Sequence, residues 1–145
     1  MKKSIIALLL FVGVGFTFSA CGKYDEGPKM SIYTKKMRIT GDWKIKKYEQ
    51  DCSTSSPDGT DNTSAMQSLL GSTYVWTIDK DGTYKETGNF NDNGTWALGA
   101  DKDDVTFTPA NGSATTYHIV MLKNKELGLK YTNSNGTWDK FYLEQ

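Results

Sequence analysis

The amino-acid sequence predicts an all-β protein, an eight-stranded antiparallel up-and-down barrel preceded by a short helical turn. Three observations lead to this prediction. Runs rich in tyrosine, tryptophan, valine, isoleucine and threonine recur between short polar turns from Gly41 onward. Every connection after residue 72 is too short for a crossover helix, so successive strands must pair antiparallel. The runs also alternate apolar with polar residues, and closing such a sheet into a barrel removes its exposed edges.

Residues 1–20 have the pattern of a signal peptide. Two lysines follow the first methionine, and the uncharged stretch 5–18 is too short to span a bilayer comfortably. Ala20 then precedes Cys21, an arrangement that resembles the lipobox of bacterial lipoproteins. The resemblance implies that the mature chain begins at Cys21, carries palmitate and other acyl chains there, and stays anchored in a membrane. The alternative is an ordinary secretory signal, with Cys21 incidental.

The residues after this cysteine refine the expected location. Position two of the mature chain is Gly22, not the aspartate that retains many lipoproteins in the inner membrane. Segment 23–26 resembles the Lys-plus-acidic export signal of surface lipoproteins in Bacteroidetes, with a solvated polar tether as the alternative. We expect an outer-membrane lipoprotein exposed at the cell surface. Residues 21–40 would form the lipidated tether and helical turn, and residues 41–145 the barrel domain.

Charge and cysteine content argue against nucleic acid as a partner and against an internal disulfide bond. Residues 1–20 contain two of the 17 basic groups, which leaves 15 basic and 17 acidic groups in the mature chain. This balance offers no electrostatic footprint for nucleic acid. The roughly 125 remaining residues suffice for one domain. Cys52 is the only cysteine besides Cys21, so no intramolecular disulfide is expected. We expect a monomer that contacts the membrane through its lipid.

The predicted helices lie before the first strand and inside the one long connection. Stretch 31–38 can form a short helical turn, with Ser31 as its cap and a basic last turn. Connection 51–71 begins as a polar loop and ends in a short helix over 64–71, closed by its glycine. The eight strands are predicted at 42–50, 73–79, 83–90, 94–99, 104–108, 115–122, 126–132 and 137–144.

Glycines and alternation predict the turns and the interior face. Segments 79–82 and 91–94 place Gly82 and Gly94 where a tight hairpin needs positive φ. Residues on the apolar face of each strand should point into the barrel. These predicted interior residues are Trp43, Ile45, Tyr74, Trp76, Ile78, Trp96, Leu98, Val105, Phe107, Tyr117, Ile119, Met121, Leu127, Leu129, Tyr131, Phe141 and Leu143.

Residue types that could carry catalysis or hold a metal are scarce. His118 is the only histidine and falls on the polar face of its strand, so we expect it to face solvent. One histidine and no available cysteine pair leave no ligand set for a zinc-type site. Asp79, Asp81 and Gly82 faintly resemble a calcium loop, but the spaced downstream ligands and the terminal glutamate are absent. We predict a protein that is not an enzyme and uses no metal or cofactor.

An ordered set of motifs resembles the compact lipocalin-like lipoproteins of Bacteroidetes. The set consists of segment 21–28, Lys35-Lys36-Met37-Arg38, Gly41-Asp42-Trp43, Asp81-Gly82 and Gly94-Thr95-Trp96. Gly41-Asp42-Trp43 matches the G-x-W signature of lipocalins, whose tryptophan packs across the closed end of the barrel. The Thr-Asp-Tyr motif and last-strand arginine of larger lipocalins are absent, and the barrel region is short. These departures argue against a roomy ligand cavity.

The resemblance implies that the chain binds or shelters a small hydrophobic ligand at the cell envelope. Six aromatic residues are candidates to line the site: Trp43, Trp76, Trp96, Phe107, Tyr117 and Phe141. The same residues could instead fill the interior, because eight strands leave room only for side chains or one small ligand. A filled barrel would favour a different function. It would be a non-catalytic interaction module that presents residues 51–71 to an envelope or surface partner.

Overall fold

The computed structural model describes residues 34–51 and 59–145. The predicted signal peptide, Cys21, the tether before Thr34, the predicted cap Ser31 and Cys52 lie outside the described residues. Within the described ranges, no helix is long and apolar enough to cross a membrane.

Two short helices and nine strands make up the described part of the chain. The helices are α1 (Lys35–Ile39) and α2 (Thr63–Leu70). The strands are β1 (Gly41–Gln50), β2 (Thr60–Asp61), β3 (Val75–Ile78), β4 (Thr83–Thr87), β5 (Asp92–Leu98), β6 (Asp104–Pro109), β7 (Thr115–Leu122), β8 (Glu126–Thr132) and β9 (Trp138–Glu144).

Eight of the strands close into the predicted antiparallel barrel. Strands β3 to β9 pair in sequence order, and β1 pairs with β3 on one side and with β9 on the other. The prediction of an all-β, up-and-down barrel is therefore confirmed. The two-residue strand β2 was not predicted, and it extends the sheet beside the end of β1 through the pair Gln50 and Thr60.

A β-bulge in β1 changes which residues face the interior. The register of β1 against β9 shifts between Ile45 and Lys47. The extra residue turns Tyr48 inward, opposite Phe141, although simple alternation from Trp43 would place it outside. Tyr48 is consequently buried.

A second bulge, in β7, makes one predicted interior residue wrong. The register against β8 shifts between Ile119 and Met121, so Leu122 pairs with the interior residue Leu127. Met121 pairs with Gly128 and lies on the outer wall, where it lines a groove with lysine side chains. The prediction that Met121 faces the interior fails because a bulge inverts the alternation beyond it.

One of the two predicted glycine turns is also wrong. Gly82 has the expected positive φ of +95° and closes the turn that begins at Asp79. Gly94 lies inside β5, opposite Tyr84, and its φ is not positive. A Cβ atom at Gly94 would clash with the carbonyl oxygen of Thr108. Close approach of β6, not a turn, therefore requires glycine there.

Helix α1 covers one end of the barrel, which we call the capped end. It begins at Lys35, with Thr34 as its cap, rather than at the predicted Ser31. Ile39 is fully buried at the end of this helix, and the indole of Trp43 donates a 2.7 Å hydrogen bond to its carbonyl. Lipocalin-type packing of the G-x-W tryptophan is thus present.

Helix α2 covers a gap between β1 and β3, which stop pairing after Trp43 and Trp76. The Gln67 side chain donates to the carbonyl of Ile45 at 3.1 Å. The amide of Tyr48 donates to the Thr63 hydroxyl at 2.9 Å. The helix ends before glycine as predicted, since Gly71 has a φ of +94° and donates its amide to the Gln67 carbonyl.

Side chains fill the half of the barrel next to the capped end. Nine of them are fully or almost fully buried: Ile39, Trp43, Ile78, Val105, Ile119, Leu122, Leu127, Leu129 and Leu143. This half therefore fits the filled-barrel alternative.

We predict that Trp43→Phe lowers the free energy of unfolding by about 2–3 kcal/mol, because it removes a buried hydrogen bond and leaves the Ile39 carbonyl without its donor. Urea denaturation measures the change. Phe90→Ala is the control, since Phe90 is exposed and should change the value by less than about 0.5 kcal/mol. Equal losses in the two variants would contradict a capping role for Trp43.

Candidate ligand-binding site

The end of the barrel opposite α1 differs chemically from the capped end, and we call it the mouth. Turns 88–91, 110–114 and 133–137 join the strands there. The inward-facing residues next to these turns are tyrosines, phenylalanine and carboxylates that are only partly buried. The mouth is therefore the accessible half of the interior.

Seven rings in and just below the mouth form a connected group, which we call the aromatic cluster. Its members are Tyr48, Trp76, Tyr84, Phe107, Tyr117, Tyr131 and Phe141. Neighbouring ring centroids lie 4.6 Å apart for Trp76 and Phe107 and up to 6.5 Å apart for Trp76 and Tyr84. Tyr117 is the centre of the group, because it contacts Trp76, Phe107, Tyr131 and Phe141.

The structure divides the six predicted lining residues into two sets. Trp76, Phe107, Tyr117 and Phe141 belong to the aromatic cluster. Trp43 and Trp96 do not, because their indole N–H groups are engaged near the capped end. Trp43 donates to Ile39, and Trp96 donates to the carbonyl of Asp79 at 2.8 Å.

Three carboxylates face into the mouth, and the sequence analysis did not identify them. Glu86 lies opposite both Trp76 and Asp92 in the sheet, and residues directly opposite share a face. Asp139 lies opposite Tyr131, on the same face as Phe141. Alternation continued to the strand ends would have placed all three carboxylates inward. We call Glu86, Asp92 and Asp139 the mouth carboxylates.

Each mouth carboxylate accepts a hydrogen bond from a tyrosine hydroxyl. The pairs are Tyr74 with Glu86 at 2.7 Å, Tyr84 with Asp92 at 2.9 Å and Tyr48 with Asp139 at 2.5 Å. Asp92 also accepts from the backbone N–H of Asn93 at 2.8 Å. An ionised carboxylate has about four acceptor sites, so these bonds leave further capacity on each.

Burial shifts the acid–base behaviour of this end. It is the main cause that raises the pKa of Glu86, with the charge of Asp92 adding to it and the Tyr74 hydrogen bond opposing it. Burial also raises the pKa of Tyr117 to about 12 and holds that of Tyr74 above its usual value. The hydroxyls therefore stay protonated at neutral pH and act as donors.

Two polar groups near the mouth have no partner among the described residues. The whole Trp76 residue is only 5% exposed, and its buried indole N–H donates to no atom of the described residues. No hydrogen bond of the Tyr117 hydroxyl is found within ranges 34–51 and 59–145. Buried donors in folded proteins nearly always have a partner, so the orphaned indole N–H points to a missing acceptor.

Basic side chains are separated from the mouth. All the lysines in the described strands occupy outward positions: Lys44, Lys46, Lys47, Lys85, Lys130 and Lys140. No lysine or arginine occurs between residues 48 and 79, or in turns 88–91, 110–114 and 133–137. Among the described residues, no mouth carboxylate forms an ion pair. The described residues therefore give the mouth negative charge and no counter-ion inside the barrel.

The other chemistry-bearing residues lie elsewhere. His118 is on the outer wall, as predicted, with 59% of its side chain exposed and Nδ1 2.9 Å from an oxygen of Asp104. In the part of the chain that the structure describes, no three histidine, cysteine, aspartate or glutamate residues are grouped to hold a metal ion.

A short helix thus covers one end of an eight-stranded antiparallel barrel, and partly exposed rings lie at the other end. The model of the lipocalin-like domain family matches residues 39–129. The chain belongs to this family, which confirms the resemblance seen in the sequence.

Two solved structures are similar to this chain. One is a lipocalin-like protein from Bacteroides uniformis, 13% identical, with a TM-score of 0.51; the match covers 74% of this chain and 98% of that one. The other is a DUF4847 family protein from Bacteroides vulgatus, 14% identical, with a TM-score of 0.49, covering 74% and 94%. Among curated proteins, no sequence matches. At these identities the first structure supports the fold alone.

We predict that Glu86→Gln makes the protein more stable at neutral pH. A carboxyl group whose folded pKa is raised contributes its stability below the unfolded pKa and loses it as pH rises through the folded pKa. The gain from glutamine should therefore vanish below about pH 4.3, the unfolded value. Denaturation curves across pH test this. Glu144→Gln, an exposed control on β9, should show no such gain, and a destabilised Glu86→Gln at neutral pH would contradict the prediction.

Proposed function

We propose that this chain is a non-catalytic, outer-membrane lipoprotein whose barrel binds a small ligand, with an apolar part, through the mouth. The observation that carries the proposal is the contrast between the two halves of one interior. The half beside α1 is filled with aliphatic side chains and Trp43, whereas the mouth presents partly exposed rings around Tyr117.

The aromatic cluster supports binding of a ligand that has an apolar part. Aromatic rings provide large contact areas at low entropic cost, and ligand sites combine such walls with a few polar groups. Here the polar groups are the indole N–H of Trp76 and the Tyr117 hydroxyl. Tyr117 contacts four other rings, so a ligand seated against it would contact much of the cluster.

The membrane anchor is supported by the sequence pattern that ends at Cys21. The described chain starts with Thr34 beside the capped end, so a lipid on Cys21 would be connected to the barrel at the end opposite the mouth. Several acyl chains would hold the domain stably, because each buried methylene contributes about 0.8 kcal/mol.

The interaction-module alternative has one structural observation in its favour. Leu69 of α2 and Phe90 of the next hairpin are both exposed. Asn89 joins the two segments. Its side-chain amide donates to the Leu69 carbonyl at 3.1 Å, and its backbone N–H donates to the Leu70 carbonyl at 2.7 Å. This apolar rim would be the contact surface for an envelope partner.

Calorimetric titration of the full chain with para-ethylphenol, a neutral aromatic probe, tests the binding function. We expect saturable binding that Tyr117→Ala weakens about tenfold or more. Removal of the central ring takes away contacts with the probe, and a loss of about 1.4 kcal/mol already corresponds to tenfold weaker binding. Phe90→Ala is the control outside the barrel. Binding that survives Tyr117→Ala but is lost in Phe90→Ala would place the site on the rim and favour the alternative.

Labelled palmitate tests the anchor in cells. We expect Cys21→Ala to abolish incorporation of the label and to release the chain from the membrane fraction, whereas the control Cys52→Ala changes neither. Incorporation that persists in Cys21→Ala would rule out this lipidation site. Protease treatment of intact cells reports the orientation, because a surface-exposed domain would be cleaved.

A further inference from the structure

We propose that the mouth selects a small organic ammonium ion that also carries a hydrogen-bond acceptor, because three mouth carboxylates, the aromatic cluster and the orphaned Trp76 indole N–H share one inner surface. This inference rests on the proposed ligand-binding function and names the chemical class of the ligand.

The charge of the mouth is the first argument. Glu86 and Asp92 are direct neighbours across β4 and β5. Asp139 lies on β9, where the hydroxyl of Tyr48 on the adjacent strand β1 donates to it. Negative charges that are partly removed from water are unfavourable unless a positive partner compensates them. The described residues supply none inside the barrel, so a ligand with positive charge would supply it.

Hydrogen-bonding capacity is the second argument. Glu86 and Asp139 each accept from one tyrosine, and Asp92 accepts from Tyr84 and from the backbone N–H of Asn93. All three keep open acceptor sites, while an ammonium group offers up to three donors. The tyrosines fix the carboxylate orientations in advance. A ligand ammonium group could therefore bind with little reorganisation of the site.

The aromatic cluster is the third argument. The faces of tyrosine and tryptophan rings attract cations within about 6 Å. Burial is the main cause that raises the pKa of Tyr117, and the charges of Glu86 and Asp139 add to it. Rings and carboxylates thus line the same end of the interior, which suits a cation attached to an apolar body.

The Trp76 indole N–H defines a second feature of the ligand. Trp76 lies directly opposite Glu86 in the sheet, and its buried N–H has no acceptor among the described residues. An N–H donor cannot bind an ammonium group, so it requires an oxygen or another lone pair on the ligand. A plain alkylamine would leave it unsatisfied.

Calorimetry on the full chain with three matched probes tests the inference. Tyramine is cationic, para-ethylphenol is neutral and para-hydroxyphenylpropionate is anionic, and all three share a phenol with an acceptor oxygen. We expect tyramine to bind at least about tenfold more tightly than para-ethylphenol, the usual effect of a charge-assisted contact, and the anion to bind most weakly.

Variants locate the selectivity. Glu86→Gln and Asp139→Asn should each weaken tyramine binding about tenfold more than they weaken para-ethylphenol binding. The outer-wall control Glu144→Gln should change neither. Trp76→Phe should weaken the binding of tyramine more than the binding of phenethylamine, which lacks the acceptor oxygen. A competition experiment with lipid vesicles distinguishes two sources of the ammonium group. If phosphatidylethanolamine vesicles compete with tyramine and phosphatidylglycerol vesicles do not, the ammonium group belongs to a lipid head group. If neither kind of vesicle competes, the ligand is a soluble amine, and both results support the proposal.

The outcomes separate this inference from the function on which it rests. Equal binding of the cationic, neutral and anionic probes would overturn the inference and leave ligand binding intact. Failure of all three probes to bind would overturn both. Loss of tyramine and para-ethylphenol binding together in Glu86→Gln and Asp139→Asn would also overturn the inference, because charge would then not be the discriminating interaction.

Discussion

The closure of β1 against β9 is the interaction on which the rest of the structure depends. Residues from Lys44 to Gln50 pair with residues from Glu144 back to Asp139, so the first and last strands of the domain become neighbours. Without this pairing the sheet would have two long open edges. The bulge within it has a second effect, because it turns Tyr48 inward to hold the Asp139 carboxylate. Barrel closure and the chemistry of the mouth are thus set by the same pair of strands.

The sequence predicted the topology well because turn residues and aromatic alternation are local signals. It could not predict the two bulges, for different reasons. Residues 119–122 are all apolar, so the alternation that would reveal a register shift is lost there. In β1 the shift falls within Lys46-Lys47, where both neighbours are polar. Glu86 was missed for a related reason, because it follows Lys85 and polar pairs at a strand end show no contrast between faces. The anchor at Cys21 is a motif and remains a prediction from sequence.

The two halves of the interior show how one small barrel can be both stable and receptive. Aliphatic residues and Trp43 fill the capped half at close to full burial, which gives stability by removing apolar surface from water. Among the mouth carboxylates, Glu86 works against stability at neutral pH, since burial raises its pKa. Each of the three is held by a tyrosine. Groups whose pKa is perturbed by burial are more frequent at functional sites, which agrees with the binding function proposed for the mouth.

The positions of the mouth and the chain entry point constrain how a ligand would arrive. The described chain enters at the capped end through α1, whose Lys35 donates to the Asp103 carboxylate at 2.8 Å. If Cys21 carries the proposed lipid, the 12 residues from Gly22 to Tyr33 connect it to that end and span at most about 40 Å. The mouth then lies on the side of the barrel away from its attachment point. A ligand from the aqueous phase would therefore reach the mouth without passing the attachment point, and this route is open to a charged, water-soluble ammonium ion.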